Sequence, residues 1–450
     1  MMELGNDKAA VFGGMPIYHC IGDEFMAQDI ITFDVGTNFD YRLFDIVKQY
    51  DTNHSIKSFY GKLRRDGLPG GRACAIIPEF TMDEFEQYVK TCTENGITFN
   101  YLINPLSLDG NVIDPEVGKK IRDFIHNIYD IGVRAITLNS PELVHYVHNN
   151  FPDMFITLGL YAYPSKPMHI ESWRRWGVNE ITLDHSFNRR FGMLRKLMRM
   201  YKDTDLHLRI IANNLCLREC PFRLTHGCFV GHTDPDKTTM DYSLINCCYH
   251  KVNQPGRFLS SEWVRPDDVH YYRELAEEEG FKNLSLKLVD RTRSTDFIEN
   301  VVKAYMAEHY DGNLLDILNY PNTRNMGHRD EPAKSPAGGA VNTGRPQLRY
   351  AELMKPDILP EFGRTMSFPE IYIDNRAMDG FIEHFINGSN CDENVCSTCV
   401  AEGEKLGEGV CGFCEAWAKK AVSYDVEKVE QWKAVASDLI RKIEDGTLYK

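Results

Sequence analysis

The chain has 450 residues, 43% hydrophobic and 26% charged, with 51 Lys and Arg against 65 Asp and Glu and a formal net charge of −14. That is ordinary globular composition, with enough apolar material for a large core. The acidic balance argues against a chain that grips phosphate backbones, which takes a basic surface, and no apolar run approaches the ~18 residues a membrane helix needs.

Met1 to Cys20 lacks a basic start followed by an apolar stretch, so it does not read as a secretory signal, and a cytoplasmic chain is expected. From about residue 28 to 310, short apolar strands alternate with amphipathic helices. The strand-like runs are Ile30–Asp34, Ile56–Tyr60, Phe99–Ile103, Ala135–Leu138, Phe155–Leu160, Glu180–Leu183, Leu208–Ala212, Arg257–Leu259 and Leu284–Val289. They are rich in Ile, Val, Thr, Phe and Tyr, as buried parallel strands are.

Helices fill the gaps. Met82, Phe85, Tyr88, Val89 and Cys92 share one helical face behind a Thr81/Glu84 capping box. Ile121, Phe124, Ile125 and Ile128 repeat that pattern, Pro266 with Asp267 and Asp268 marks a helix start, and Ser294 caps a helix carrying Phe297, Ile298, Val301, Val302 and Tyr305. This alternation predicts a TIM-like (β/α)8 barrel. A doubly wound sheet is the competitor, but no G-x-G-x-x-G or P-loop is present.

The barrel is expected over residues 1–320. Seven prolines between Pro321 and Pro369 make 321–380 a Pro/Gly-rich connection, leaving 381–450 as a cysteine-rich metal-binding tail closed by helices near Cys414–Val422 and Val426–Lys442.

Ten of the thirteen cysteines fall in two short windows. In a chain without a secretory signal, such thiols point to metal sites before disulfides. The first window is Cys216, Cys220, Cys228, Cys247 and Cys248, the last two arriving from the next long loop. It follows the run Leu208–Ala212, so it sits past the C-terminal end of a strand, the face where barrel enzymes place their chemistry. Four thiolates hold either an iron–sulfur cluster or zinc. The spacing matches neither paired C-x2-C zinc knuckles nor the C-x3-C-x2-C radical pattern, since Pro221, Phe222 and Arg223 follow Cys220.

The second window is Cys391, Cys396, Cys399, Cys411 and Cys414. It contains two C-x2-C pairs, one of them opening a helix, whose N-terminal dipole acidifies a thiol. A second [4Fe–4S] cluster or a zinc ion suits this set.

The run Asn213 to Cys228, the Cys247–Cys248 pair, Trp263-Val264-Arg265-Pro266 with Tyr271-Tyr272, and Leu286 to Arg293 with Tyr310 to Asp316 together resemble the U32 peptidase-like family over about residues 25–320. The resemblance implies a TIM-like barrel with a [4Fe–4S] cluster on four cysteines. It also implies oxygen-independent hydroxylation, or a related modification, of a small molecule, peptide or RNA base. An electron donor or partner subunit is a further implication. Five cysteines compete here for four ligand places, with Cys216 and Cys220 first and Cys228 last.

The strand ends supply candidates for substrate chemistry: Asp34, Tyr60, Lys62, Asn104, Asn139, Tyr161, Asp184, His185, Asn213, Asn214 and Asp290. His226 and His232 flank Cys228 and are candidate ligands or proton donors. Two other readings stay open: a peptidase, as the family name suggests, and a non-catalytic iron–sulfur partner subunit. No H-E-x-x-H or G-x-S-x-G is present, and the adjacent His19 and Cys20 are poorly placed for joint attack on one substrate.

Overall fold

In the computed structural model, the described residues are 30–108, 112–233, 235–236, 241–320, 333–334, 340–341, 363–365, 367–388, 391, 395–399 and 409–449. Cys20 and His19 lie outside them. Eight parallel strands close into a barrel in sequence order. They are β1 (Ile31–Gly36), β2 (Ile56–Gly61), β3 (Thr98–Ile103), β4 (Ala135–Leu138), β5 (Phe155–Leu158), β6 (Glu180–Thr182), β7 (His207–Ile211) and β8 (Leu284–Leu288). β8 closes on β1 with Leu284 opposite Ile31 and Leu286 opposite Phe33. The TIM-like barrel expected from the strand–helix alternation is therefore the fold.

The side chains inside this barrel are unusual. Layers of branched apolar residues usually fill it. Here every strand sends a polar group inward, and these groups form one hydrogen-bonded set. Thr137 donates to Asn100 at 2.7 Å, Asn100 to Thr157 at 3.2 Å, and Thr157 to Glu180 at 3.0 Å. Ser285 donates to the other Glu180 oxygen at 2.7 Å. Arg209 pairs with Glu180 at 2.9 Å and Asp34 at 3.2 Å, and donates to Thr182 at 2.7 Å. Ser58 donates to Asp34. All nine residues are buried. Burial first, then the Glu180 charge, raises the Asp34 carboxyl above the ordinary carboxylate range. Burial opposes the Glu180 charge too, but Arg209 outweighs it and holds Glu180 ionised.

Local signals place the outer helices. Thr81 and Glu84 form the reciprocal capping box of helix Met82–Glu94, and Ser294 accepts from the Phe297 amide to start Thr295–Met306. Ile121, Phe124, Ile125 and Ile128 bury one face of Pro115–Asp130. Among the described residues, no helix is long and apolar enough to cross a membrane.

Two expectations are corrected. Arg257–Leu259, read as a strand, belongs to the helical turn Gly256–Leu259. A short apolar run does not separate strand from buried helix by periodicity, and Pro255 and Gly256 start a turn here. Cys247 and Cys248 lie on the helix Tyr242–Asn253, not in a loop.

The segment after residue 363 packs onto the barrel's core. Ile371–Ile373, within the stretch read as connection, pairs antiparallel with Val422–Tyr424. The Asn313 side chain, from the barrel, donates to Ile371 O at 2.8 Å and accepts from Ile373 N at 2.9 Å. The helix Phe413–Ala421 sits against the turn Gly256–Leu259. A Cβ on Gly256 would lie 3.2 Å from Glu415 Cα, so glycine allows that approach. The helix Val426–Glu444 packs on Tyr242–Asn253. Few large apolar residues are legible in the cysteine window itself, yet Phe381, Phe385, Cys414 and Trp432 join the barrel's hydrophobic core.

Removing the Arg209 charge leaves two buried carboxylates without their counterion, a loss of order 3–5 kcal/mol. Arg209→Gln is expected to lower the urea midpoint by that free energy while Ser285→Ala, which removes one neutral donor, costs about 1 kcal/mol. Equal midpoints for wild type and Arg209→Gln in circular dichroism would count against the network.

Candidate functional site

The C-terminal ends of the strands open on a polar mouth, and the first cysteine window lies on it. Past β7, Asn213 turns the chain. Its amide donates to Val289 O at 2.5 Å and Ile317 O at 3.0 Å and accepts from Val289 N at 2.6 Å. With both ends of its amide on backbone groups, Asn213 acts as a brace. Its neighbour Asn214 faces the site, 3.0 Å from His185 Nε2 and 3.2 Å from Cys216 Sγ.

Cys216 is exposed, Cys220 and Cys247 are partly buried, and all three are unbridged. Burial pushes the Cys220 thiol up to about 11, with the Cys247 and Cys216 charges adding to it. Lys251, one helical turn after Cys247, donates to Cys247 Sγ at 2.9 Å and to Leu215 O at 2.8 Å. Burial opposes its charge, but the Cys247 and Cys248 sulfurs beside it outweigh that and raise Lys251 above its ordinary value. Cys248 points the other way, into the hydrophobic core. Cys228 is exposed on the helix Arg223–Gly231. Three thiols, Cys216, Cys220 and Cys247, thus gather around one cation.

The other candidates fall into two groups. Asp34 belongs to the barrel's inner network. Tyr60 Oη donates to Leu288 O at 2.8 Å, and Lys62 is fully buried in a pair with Asp66. Asp184 accepts from Ser186 N at 3.0 Å and pairs with Arg223 at 2.7 Å. Asn139 donates to the carbonyls of Asn104 and Pro105 at 2.8 and 3.0 Å. At the rim, His226 Nε2 meets Asp241 at 3.1 Å. Burial works against its charge, but Asp241 outweighs it and raises the imidazole above its ordinary value. His232 ends the same helix. Asp290 accepts from Arg72 at 3.0 Å. Burial opposes its ionisation too, yet Arg72 and Arg293 bring it down to about 2. Tyr161 reaches the Gly71 carbonyl at 3.4 Å.

The second window surrounds a small cavity, open at its mouth. Cys391, Cys396, Cys411 and Cys414 line it together with Arg189, Arg218 and Glu262. A short bridge brings Cys396 and Cys411 side by side, through Ser397 N to Cys411 O at 2.9 Å and Cys411 N to Val395 O at 2.8 Å. Burial pushes the Cys414 thiol up to about 12, against the pull of Arg189. The Cys399 side chain lies outside the described residues. Arg218 comes from the loop between Cys216 and Cys220, so the two thiol sites share a wall.

Among the described residues, no three His, Cys, Asp or Glu side chains form a group that holds a metal ion as it stands. The donor chemistry of four unbridged thiols around one cavity nevertheless suits zinc or an iron–sulfur cluster. Sequence patterns did not single out Lys251, Arg72, Arg209 or Arg291. Lys251 was within reach, being four residues beyond Cys247 on one helical face. Barrel closure sets Arg209 inside the barrel and brings Arg72 and Arg291 to its mouth.

The geometry is that of a TIM-like barrel with a thiol-bearing mouth. No family model matches the chain. It is similar to the uncharacterized protease MJ1657 of Methanocaldococcus jannaschii, 24% identical over 355 residues, which cover 78% of this chain and 85% of that protein. Among solved structures it is similar to the U32 peptidase Mk0906, at 14% identity and a TM-score of 0.41 over 60% of this chain and 97% of that one. It also aligns with an isomaltulose synthase from Klebsiella sp. LX3, at 10% identity and a TM-score of 0.34 over 58% and 78%. The motifs at Asn213–Cys228 and Trp263–Pro266 resemble the U32 peptidase-like family, and the archaeal relative is itself named a protease.

Arg265, in the second of those motifs, ties barrel to tail. It forks onto Asp268 at 2.7 and 2.9 Å and donates to Asn375 O at 2.9 Å and Asp379 at 3.0 Å. Arg265→Met is expected to speed amide exchange across 371–379 by ten- to a hundredfold while the barrel strands exchange as before. Unchanged exchange there, read by mass spectrometry, would mean the guanidinium does not dock the tail.

Proposed function

We propose that this U32 peptidase-like barrel is an iron–sulfur-dependent redox enzyme that carries out an oxygen-independent hydroxylation or related modification at its C-terminal mouth. The observation that carries the reading is the meeting of Cys216, Cys220 and Cys247 around Lys251 on that face. A cluster held there supplies one-electron transfer beside the substrate.

The chain's own groups have separable tasks. Lys251, donating to Cys247 Sγ at 2.9 Å, would offset the charge of a ligating sulfur there. The Asn214 amide orients Cys216 and spans to His185. His226, whose protonated form Asp241 favours, can hold a proton at the rim near Cys216. The tail thiols, sharing Arg218 as a wall with the first window, suit a second [4Fe–4S] cluster or zinc ion. A second centre in that place would pass electrons toward the first.

A second reading is a thiol peptidase. The archaeal relative is named a protease, and Cys216 is exposed near an Asp241-held His226. Metal content separates the two. Full-length protein purified without oxygen is expected to carry iron and acid-labile sulfide. Cys216→Ala or Cys220→Ala should remove the mouth's share, Cys411→Ala or Cys414→Ala should remove the tail's share, and Cys92→Ala should keep both. Iron below about two per chain, half of a four-iron cluster, would sink the redox reading. Peptide cleavage that survives iron removal would favour the peptidase.

A further inference from the structure

The barrel mouth holds a charge that its own neighbours leave unmatched. Arg291 follows β8 directly and is 4% exposed. Its Nε and Nη2 are both buried and have no hydrogen-bond partner. These two atoms form one edge of the guanidinium, with two parallel N–H bonds, the edge that grips a carboxylate or phosphate in a two-pronged fashion. Arginine does not lose its proton in a protein, so the charge cannot be shed. A buried charged edge without hydrogen-bond partners is costly, and Asp290, whose charge favours the guanidinium, leaves that edge without a partner. Asp290 serves Arg72, Asp66 serves Lys62, and Asp34 and Glu180 serve Arg209.

The surroundings repeat the theme. Arg72 and Lys287 lie close enough to oppose the Arg291 charge. Lys287 packs with its Nζ 3.9 Å from the centre of the Tyr60 ring. The loop after β2 crosses the mouth on Gly70 and Gly71. A Cβ on Gly70 would stand 2.8 Å from Lys62 Cδ and Cε and 3.8 Å from Arg291 Nη2, and one on Gly71 would stand 3.3 Å from Asn104 Oδ1. Glycines let the loop pass close over Lys62 and Asn104, beside the guanidinium edge. Asn104 Oδ1 is itself a buried acceptor without a donor, suited to a hydroxyl on the same ligand.

We propose that Arg291 is the base of an anion subsite at the barrel mouth, which holds the carboxylate or phosphate of a small, hydroxyl-bearing substrate or co-substrate. The proposal rests on the mouth being the substrate face in the reading above, though not on the metal. Arg72 stands at the rim as the second cation, and the Gly70–Gly71 loop covers the site.

The test is calorimetric titration of the full-length protein with malonate and, separately, inorganic phosphate, each against chloride at equal ionic strength. Saturable binding of at least one probe is expected. Malonate alone assigns a carboxylate ligand, phosphate alone a phosphate ester, and both a general oxyanion site. Arg291→Lys, which keeps the charge but loses the fork, should weaken the bound probe at least tenfold. Arg72→Gln should weaken it about threefold, and Arg195→Gln, on the outer helix, should leave it unchanged. Absence of saturable binding in the wild type overturns the proposal, as does an unaltered affinity in Arg291→Lys. Should Arg291→Lys fail to fold, the wild-type titration and Arg72→Gln decide, and an unaltered affinity in Arg72→Gln also overturns it. Iron and zinc measured on the same samples keep the two readings apart. Anion binding without metal overturns the redox reading alone, and metal without anion binding overturns this one alone.

Discussion

The ion pair of Arg209 with Glu180 and Asp34 stands at the centre of this barrel, and much else depends on it. A buried guanidinium between two carboxylates is stable only if the remaining donors and acceptors are satisfied. Threonines, serines and an asparagine from the other strands do that. Because each strand contributes to one connected set, a shift in any strand's register would break several bonds at once. Polar filling therefore specifies alignment in a way apolar layers do less strictly.

That network also sets the charge of the mouth above it. Arg209 takes the direct ion pairs of Asp34 and Glu180, and Asp34 offsets the Lys287 charge only at a distance. The mouth keeps cations at its base and a thiol group at one side. Lys251 holds a comparable position among the cysteines, with its ammonium on Cys247 Sγ. Positive charge in a low-dielectric place is the shared device: it sets an ammonium among the thiols at one point and leaves a guanidinium edge open at another.

The tail is part of the barrel's packing. Trp263 and Phe381 stack with ring centroids 6.4 Å apart, and Arg189 lies over both rings while its Nη1 holds the Leu259 carbonyl at 2.5 Å. The wall of the tail cavity is thus made by residues that also brace the loop past β7. Rigid support of this kind holds ligand geometry better than a loose extension would.

Periodicity and turn chemistry made the barrel legible, because each βα unit carries its own local signals: the Thr81/Glu84 box, the Ser294 cap and the apolar stripe of Pro115–Asp130. The clustering of thiols was legible too, since ligands close in space often lie close in sequence. Arg257–Leu259 failed as a strand because a run of three residues has too little periodicity to separate the two structures. The long-range partners of Arg209 and Arg265 were not legible at all. Asp34 and Arg209 lie 175 residues apart, and Arg265 and Asp379 lie 114 apart. Pairings across such separations leave no local pattern. The sequence by itself determined the elements and the presence of two thiol sites. Only barrel closure decided which charges meet, which are matched and which are left over, because that depends on the eight strand ends converging on one axis.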